Sequence, residues 1–234
     1  MSFRFKQFTV RHDRCLMKVG TDGILLGAWA GIKGIRSILD IGTGSGLIAL
    51  MLAQRAPEVR IDALELDGES VLQARENVSA SPRADRISVI QGAIQDYAHR
   101  SATRYELLIT NPPFFQNKLK SPRSGKNVAR HAETLSFEEL LAATVHLLAP
   151  GGRFCMILPV EEGRVFQKHA LGFNLYLTRI QEVVGRAGKP AERVLLQFET
   201  QKKTLRKDSL LVIQEGSSGV WTKAFSDLTG AFYL

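Results

Sequence analysis

The chain has 234 residues, 44% of them hydrophobic, which suits one α/β domain with a core of ordinary size. No apolar run reaches the roughly 18 residues of a membrane helix, and Met1-Ser2-Phe3-Arg4-Phe5-Lys6 is too polar for a secretory leader. The formal charge of +8 excludes little but favours a polyanionic partner.

Residues 1–15 are basic and aromatic and read as an arm or short hairpin, with Phe3, Phe5 and Phe8 facing a core. Thr21-Asp22 is a capping pair for a helix over 22–31. Alternation follows. Ser37–Ile41 is a buried strand and Leu47–Arg55 an apolar helix. Arg60–Leu64 is a strand and Gly68–Ser79 a helix. Arg86–Gln91 and Glu106–Thr110 are the third and fourth strands. Phe137–Leu148 is a helix closed by Pro150-Gly151-Gly152, and Arg153–Leu158 is the fifth strand. Residues 161–171 are helical, and strands near 175–185 and 192–200 flank Gly188-Lys189-Pro190. The tail adds one strand, Leu210–Ile213. Strands alternating with helices imply a parallel sheet with helices on both faces, and the short last connection makes the closing pair antiparallel. The expected domain is single, 1–234, with 1–31 as an N-terminal cap and 205–234 as a C-terminal extension.

The two cysteines, Cys15 and Cys155, have neither CxxC nor Cys/His spacing. They read as free thiols of a cytoplasmic protein without a metal site.

Three stretches carry chemistry. Asp40-Ile41-Gly42-Thr43-Gly44-Ser45-Gly46 follows the first strand and opens a helix. Glycines there let the chain turn sharply and let a ligand approach main-chain N–H groups. A P-loop would need Gly-Lys-Ser/Thr, which Gly46-Leu47-Ile48 lacks, and a dinucleotide loop would need GxGxxG. Asp40 would also repel a pyrophosphate. S-adenosylmethionine (SAM) carries an ammonium and no phosphate, and Asp40 suits it. Glu65 ends the second strand about 20 residues beyond the glycines, placed to take both ribose hydroxyls. Leu66 follows it. The third strand ends at Gln91-Gly92-Ala93-Ile94, where Ile94 can pack on the adenine.

Asn111-Pro112-Pro113-Phe114 follows the fourth strand directly. The prolines fix a turn without backbone donors, so the turn offers acceptors: the Asn111 amide oxygen and the bare carbonyls. Such a turn fits an amino group on a flat ring. The third stretch, 118–131, holds Lys118, Lys126, Arg130 and His131 and no acid, and a second basic run covers 202–207.

DIGTGSG, ELD and NPPF together resemble the class I SAM-dependent methyltransferases that act on exocyclic amines. Phe5-Lys6-Gln7-Phe8, Met17–Gly23, NPPFF at 111–115 and Lys126–His131 narrow the resemblance to the bacterial tRNA1(Val) adenine-N6 methyltransferase family, over about 5–215. It implies a Rossmann-like seven-stranded mixed sheet with an antiparallel closing strand. It also implies methylation of adenine 37 in the anticodon loop of a valine tRNA. A monomer is the expected state. The segment before the glycine loop would fold over the methionine end of SAM, which points to Lys18, Gly20 and Thr21. Many relatives place Asp where Ala93 stands; Asp96 or a backbone contact would substitute.

On this reading Asn111 and the Pro112 carbonyl accept the two amine hydrogens and Phe114 stacks on the base. Lys118, Lys126, Arg130 and His131 meet phosphate. The rival readings are a protein glutamine N5-methyltransferase, which favours Tyr after the prolines, an rRNA guanine N2-methyltransferase, and a non-enzymatic RNA-binding module.

Overall fold

The structure is a computed structural model of the chain and describes residues 1–112, 135–216 and 219–233. β1 (Ser2–Arg4) and β2 (Thr9–Arg11) pair as an antiparallel hairpin. Then come α1 (Thr21–Trp29), β3 (Ser37–Ile41), α2 (Leu47–Arg55), β4 (Arg60–Glu65), α3 (Gly68–Ser79), β5 (Ile87–Gln91), α4 (Ile94–Arg100) and β6 (Tyr105–Thr110). Beyond the gap follow α5 (Phe137–Leu147), β7 (Leu148–Pro159), α6 (Val160–Gly172), β8 (Tyr176–Arg186) and β9 (Arg193–Glu199). The tail holds β10 (Arg206–Lys207), β11 (Leu211–Glu215), β12 (Val220–Trp221) and α7 (Lys223–Thr229).

Seven strands stand in the order β5-β4-β3-β6-β7-β9-β8, with β9 antiparallel to both neighbours and the others parallel. This is the Rossmann-like mixed sheet that the motifs implied. The tail departs from the single strand expected. β10 and β11 both add to the outer edge of β8, β12 pairs with β11, and α7 packs against β11 and α1. Single short strands carry too little periodicity to be read from sequence.

The central strands alternate between two cores. Ile38, Leu107, Ile109, Cys155 and Ile157 face α1, α2, the N-terminal hairpin and α7. Leu39, Leu108, Phe154, Met156 and Leu158 face α4, α5 and α6. Strands covered on both faces are apolar at every position, which is why β3, β6 and β7 read as continuous hydrophobic runs. Phe5 and Phe8 are buried and stacked, with ring centroids 4.8 Å apart. Both cysteines are free and buried.

Three boundaries moved. The N-cap of α1 is Gly20, with no side-chain cap, so Thr21-Asp22 is the first turn rather than the cap. α4 was not expected; it is a seven-residue helix. Pro150-Gly151-Gly152 does not end α5 but lies in an irregular stretch of β7, where the pairing jumps from Tyr105↔Leu148 to Leu107↔Arg153.

Candidate active site

The parallel strands end together on one side of the sheet, and the ends of β3, β4, β5 and β6 form the site. Gly42, Gly44 and Gly46 have φ of 70°, 57° and 80°. Such torsions disfavour any side chain with a Cβ. A Cβ on Gly42 or Gly44 would meet no atom within 4 Å, so torsion alone selects glycine there, and the space above the loop is open to a ligand. The loop is tied to β4. Gly42 and Thr43 donate to the Leu64 carbonyl at 2.8 and 3.0 Å, and Gly44 donates to Glu65 Oε2 at 2.8 Å. Glu65 Oε1 accepts from the N–H groups of Leu66 (2.8 Å) and Asp67 (3.0 Å). Glu65 therefore fixes the loop and keeps a lone pair on Oε2 for a hydroxyl donor. Asn77 of α3 bridges the same loop to the hairpin, donating to the Ser45 and Arg11 carbonyls.

Asp40 is fully buried. One carboxylate oxygen accepts from the Thr43 hydroxyl at 2.5 Å; the other has no partner among the described residues. Burial pushes its carboxyl up to about 7, against the Thr43 hydroxyl and the Ala49 backbone N–H of α2, which pull the other way; the Glu65 carboxylate adds to the rise. Asn111 repeats the pattern at the end of β6. Its amide oxygen is buried and also has no partner among the described residues. The two strands are neighbours, with Asp40 opposite Ile109 and Ile41 opposite Thr110. An unpaired buried acceptor costs about 1–3 kcal/mol. Two at adjacent strand ends mark a place where a ligand supplies the donors. Pro112, beside Asn111, is buried.

The first turn of α1 leans on this corner. A Cβ on Gly23 would lie 3.1 Å from Leu47 and 3.9 Å from the Asn111 amide nitrogen. Asp22 pairs with Arg193 of β9 at 2.8 Å and holds that turn. Gly23, Thr43 and Asn77 were not singled out from sequence. Thr43 lies within the glycine motif, but Gly23 and Asn77 gain their meaning only from tertiary placement.

Lys18 and Thr21 are exposed, Thr21 at the start of α1. The Lys18 ammonium is committed to the carbonyls of His12, Asp13 and Cys15 at 2.9, 3.1 and 3.0 Å. It closes the turn that precedes α1. His12 Nδ1 accepts from the Val19 N–H at 2.9 Å and completes that closure.

Leu66 is 56% exposed, an apolar surface beside the Glu65 carboxylate. Ala93 caps α4 and, with Ile90, Gln91, Asp96 and Tyr97, lines a cleft of about 320 Å³ at the β5 edge. Ile94 is buried in the core with Leu64 and Leu108. Phe114, Lys118, Lys126, Arg130 and His131 lie outside the described residues. The basic run at 202–207 starts at the opposite end of the sheet, since β9 ends at Glu199 opposite Tyr176, the first residue of β8, and Arg206 and Lys207 return along β8 beside Arg179 and Ile180.

The donor set fits SAM. A buried carboxylate with an orphaned oxygen suits an ammonium, an open left-handed glycine loop admits the ligand to backbone N–H groups, and Glu65 faces the same loop. Fold and site together define a class I SAM-dependent methyltransferase.

The comparisons agree. A family described as "Methyltransferase small domain" matches residues 25–164. A tRNA1(Val) (adenine(37)-N6)-methyltransferase of Trichodesmium erythraeum is 46% identical over 99% of this chain and 97% of its own. One from Pectobacterium carotovorum is 47% identical over 99% and 93%. In structure, a predicted O-methyltransferase of Agrobacterium tumefaciens superposes with TM-score 0.71 over 90% of this chain and 96% of its own at 19% identity. The glycopeptide N-methyltransferase MtfA complexed with SAM superposes at 0.55 over 77% and 99% at 13% identity. The chain belongs to the tRNA1(Val) (adenine(37)-N6)-methyltransferase family.

Proposed function

We propose that this protein methylates the exocyclic N6 of adenine 37 in the anticodon loop of tRNA1(Val), acting as a monomer. The observation that carries the mechanism is the orphaned amide oxygen of Asn111 beside Pro112. A neutral amide oxygen and a prolyl carbonyl are acceptors only, and the exocyclic amine of adenine has two hydrogens to give. Accepting both pulls the nitrogen toward tetrahedral geometry and localises the lone pair that was delocalised into the ring. This is preorganised electrostatics rather than removal of a proton by a strong base. Bound SAM would supply an electrophilic methyl on a sulfonium: the N–C bond would form as the S–C bond breaks, S-adenosylhomocysteine would leave, and one N6 proton would pass to water, leaving the product amine one hydrogen.

Within this reading Asp40 receives the ammonium of SAM and Glu65 its ribose hydroxyls. The glycine loop faces the methionine end, and Leu66, Ala93 and Ile94 border the adenine. The segment through Lys18 and Thr21 closes over the ligand as a cap. Phe114 stacks on the flipped base, and Lys118, Lys126, Arg130 and His131 bind phosphates. An anticodon-loop base is already unpaired, so its extrusion costs less than from a duplex.

The test is transfer of labelled methyl from SAM to tRNA lacking the modification, with release factor as a second acceptor. Label at adenine 37 supports the reading. Label on a glutamine side chain, or at another nucleotide, overturns it.

A further inference from the structure

The entries of the strands form a second charged edge. Loops that lead into parallel strands all lie at the amino end of the sheet. Lys33 and Arg36 precede β3, Arg60 opens β4, and Arg100 and Arg104 precede β6. Lys202 joins them, because β9 runs antiparallel and delivers the tail to the same end, beside Tyr176 at the start of β8. All six side chains are exposed, and none forms an ion pair among the described residues.

The acids nearby do not offset them. Glu106 is bonded by the backbone N–H groups of Arg36 and Ser37. Glu199 is buried and pairs with Lys203. Asp208 is occupied by Arg179 and Arg206. The acids left exposed at this end are Glu58 and, at the far β5 entry, Asp85. From β4 to β8 is five strand spacings, so the cationic edge runs about 24 Å at about 4.8 Å per spacing. Beside it, His99, Arg100, Arg104 and His146 line an open cavity of about 330 Å³.

Part of this charge complements the carbonyl ends of α4 and α5, which is worth only tenths of a kcal/mol to each helix. That account covers His99, Arg100 and His146. It does not cover Lys33, Arg36, Arg60 or Lys202, which lie on loops and at a strand start. Charge held apart from acids over such a length suits a regularly charged polyanion.

We propose that the amino edge of the sheet is a second RNA surface, which takes phosphates of the substrate tRNA outside its anticodon arm. This rests on the functional reading above. Strands of five to six residues separate the edge from Asn111, or about 16–20 Å at about 3.3 Å per residue. An RNA whose loop is held at Asn111 reaches the amino edge only with a different part of its backbone. The surface positions the tRNA and reads no base.

The experiment compares the wild type with a variant carrying Lys33→Gln, Arg36→Gln, Arg60→Gln and Lys202→Gln. Affinity is measured for whole tRNA1(Val) and for its isolated anticodon stem–loop, across a salt series. Each phosphate contact contributes about 0.7–0.9 to the salt slope, so the variant's slope on whole tRNA falls by about 3, with at least a tenfold loss of affinity. Stem–loop affinity and kcat stay as in the wild type. A matching set with Lys→Arg and Arg→Lys, which keeps the charge, retains whole-tRNA affinity. Unchanged whole-tRNA affinity overturns the proposal, and so does equal loss on tRNA and stem–loop. Methyl incorporation by the wild type reads the catalytic proposal separately, so either idea can fail without the other.

Discussion

At the amino end of the sheet, arginines close the structure. Arg55 donates to the Gly27 and Ala30 carbonyls, Arg153 to Gly31, and Arg179 to Trp29, so four carbonyls in and just beyond the last turn of α1 find a guanidinium. Arg179 also stacks on the Trp29 ring at 4.0 Å and binds Asp208, which accepts from the Trp29 indole. At the carboxyl end, beyond the same strands, Asp40 and Asn111 each keep a buried oxygen without a partner among the described residues. The other buried orphans among the described residues are scattered over α2, the turn before β5 and α5. One end of α1 is satisfied by the protein; the other borders groups that a ligand must satisfy. The helix is anchored where its carbonyls end so that its first turn, with Gly23 and Asp22, stands still against Asn111.

The sharpest break of this contrast is Asn111→Ala. It removes the acceptor at the reacting amine, so kcat falls by about 10³, near 4 kcal/mol of transition-state stabilisation. SAM affinity by calorimetry stays near the wild-type value. Full activity of Asn111→Ala would sink the mechanism.

Asp40→Asn separates stability from function. Burial keeps the Asp40 carboxyl protonated up to about 7, against 3.8 ordinarily. Between those values the folded protein holds a proton that the unfolded chain has lost. Stability therefore falls as pH rises through that window and levels off above it. Asparagine removes the buried charge and raises unfolding free energy at pH 8 by roughly 3–4 kcal/mol, and by little at pH 4. SAM affinity drops in the same variant. A variant no more stable than wild type at pH 8 would show that the native carboxylate is not strained.

Arg179→Met works at the other end. It leaves the Asp208 carboxylate short of its main cation and the Trp29 carbonyl without its donor, and it lowers stability by roughly 2–3 kcal/mol. Below its melting range kcat is unchanged. Loss of kcat without loss of stability would mean that the amino end is not merely an anchor.

The difference between the two ends also explains what the sequence revealed. The carboxyl end was legible because its chemistry is local. Gly42, Gly44 and Gly46 are selected by torsion, Glu65 closes a strand, and Asn111 precedes prolines, so each declares itself within a few residues. The amino end was not. Arg55, Arg153, Arg179 and Asp208 come from four elements and meet at α1 only after folding. The basic run at 202–207 had no place in the sequence reading; the antiparallel direction of β9 starts it at the far end, and β10 carries Arg206 and Lys207 back along β8. α4 and the tail strands were too short to show a period. Lys18 illustrates the reverse case. The sequence placed it in the segment before the glycine loop as a candidate for the cofactor, and its ammonium binds that segment's own carbonyls.

The smallest effect concerns how the cap is held against the catalytic end. His12 accepts the Val19 N–H through Nδ1, which only a neutral ring can do. Burial, then the Lys18 ammonium and the Met1 amino group, lower its pKa below 6.5, and Asp13 opposes them weakly. Within the window below 6.5 the unfolded chain binds a proton that the folded protein does not. This contribution is complete above about 6.5 and lost as pH falls through the lowered value. His12→Asn supplies an amide oxygen that can accept the same N–H at any pH. The wild-type melting temperature should therefore fall faster than that of His12→Asn as pH drops from 7 to 5, and its SAM affinity should fall with it, because Thr21 lies two residues beyond Val19. The difference between the two profiles isolates this group from the carboxylates that titrate in both proteins. Superimposable profiles would mean that the cap is held by Lys18 alone.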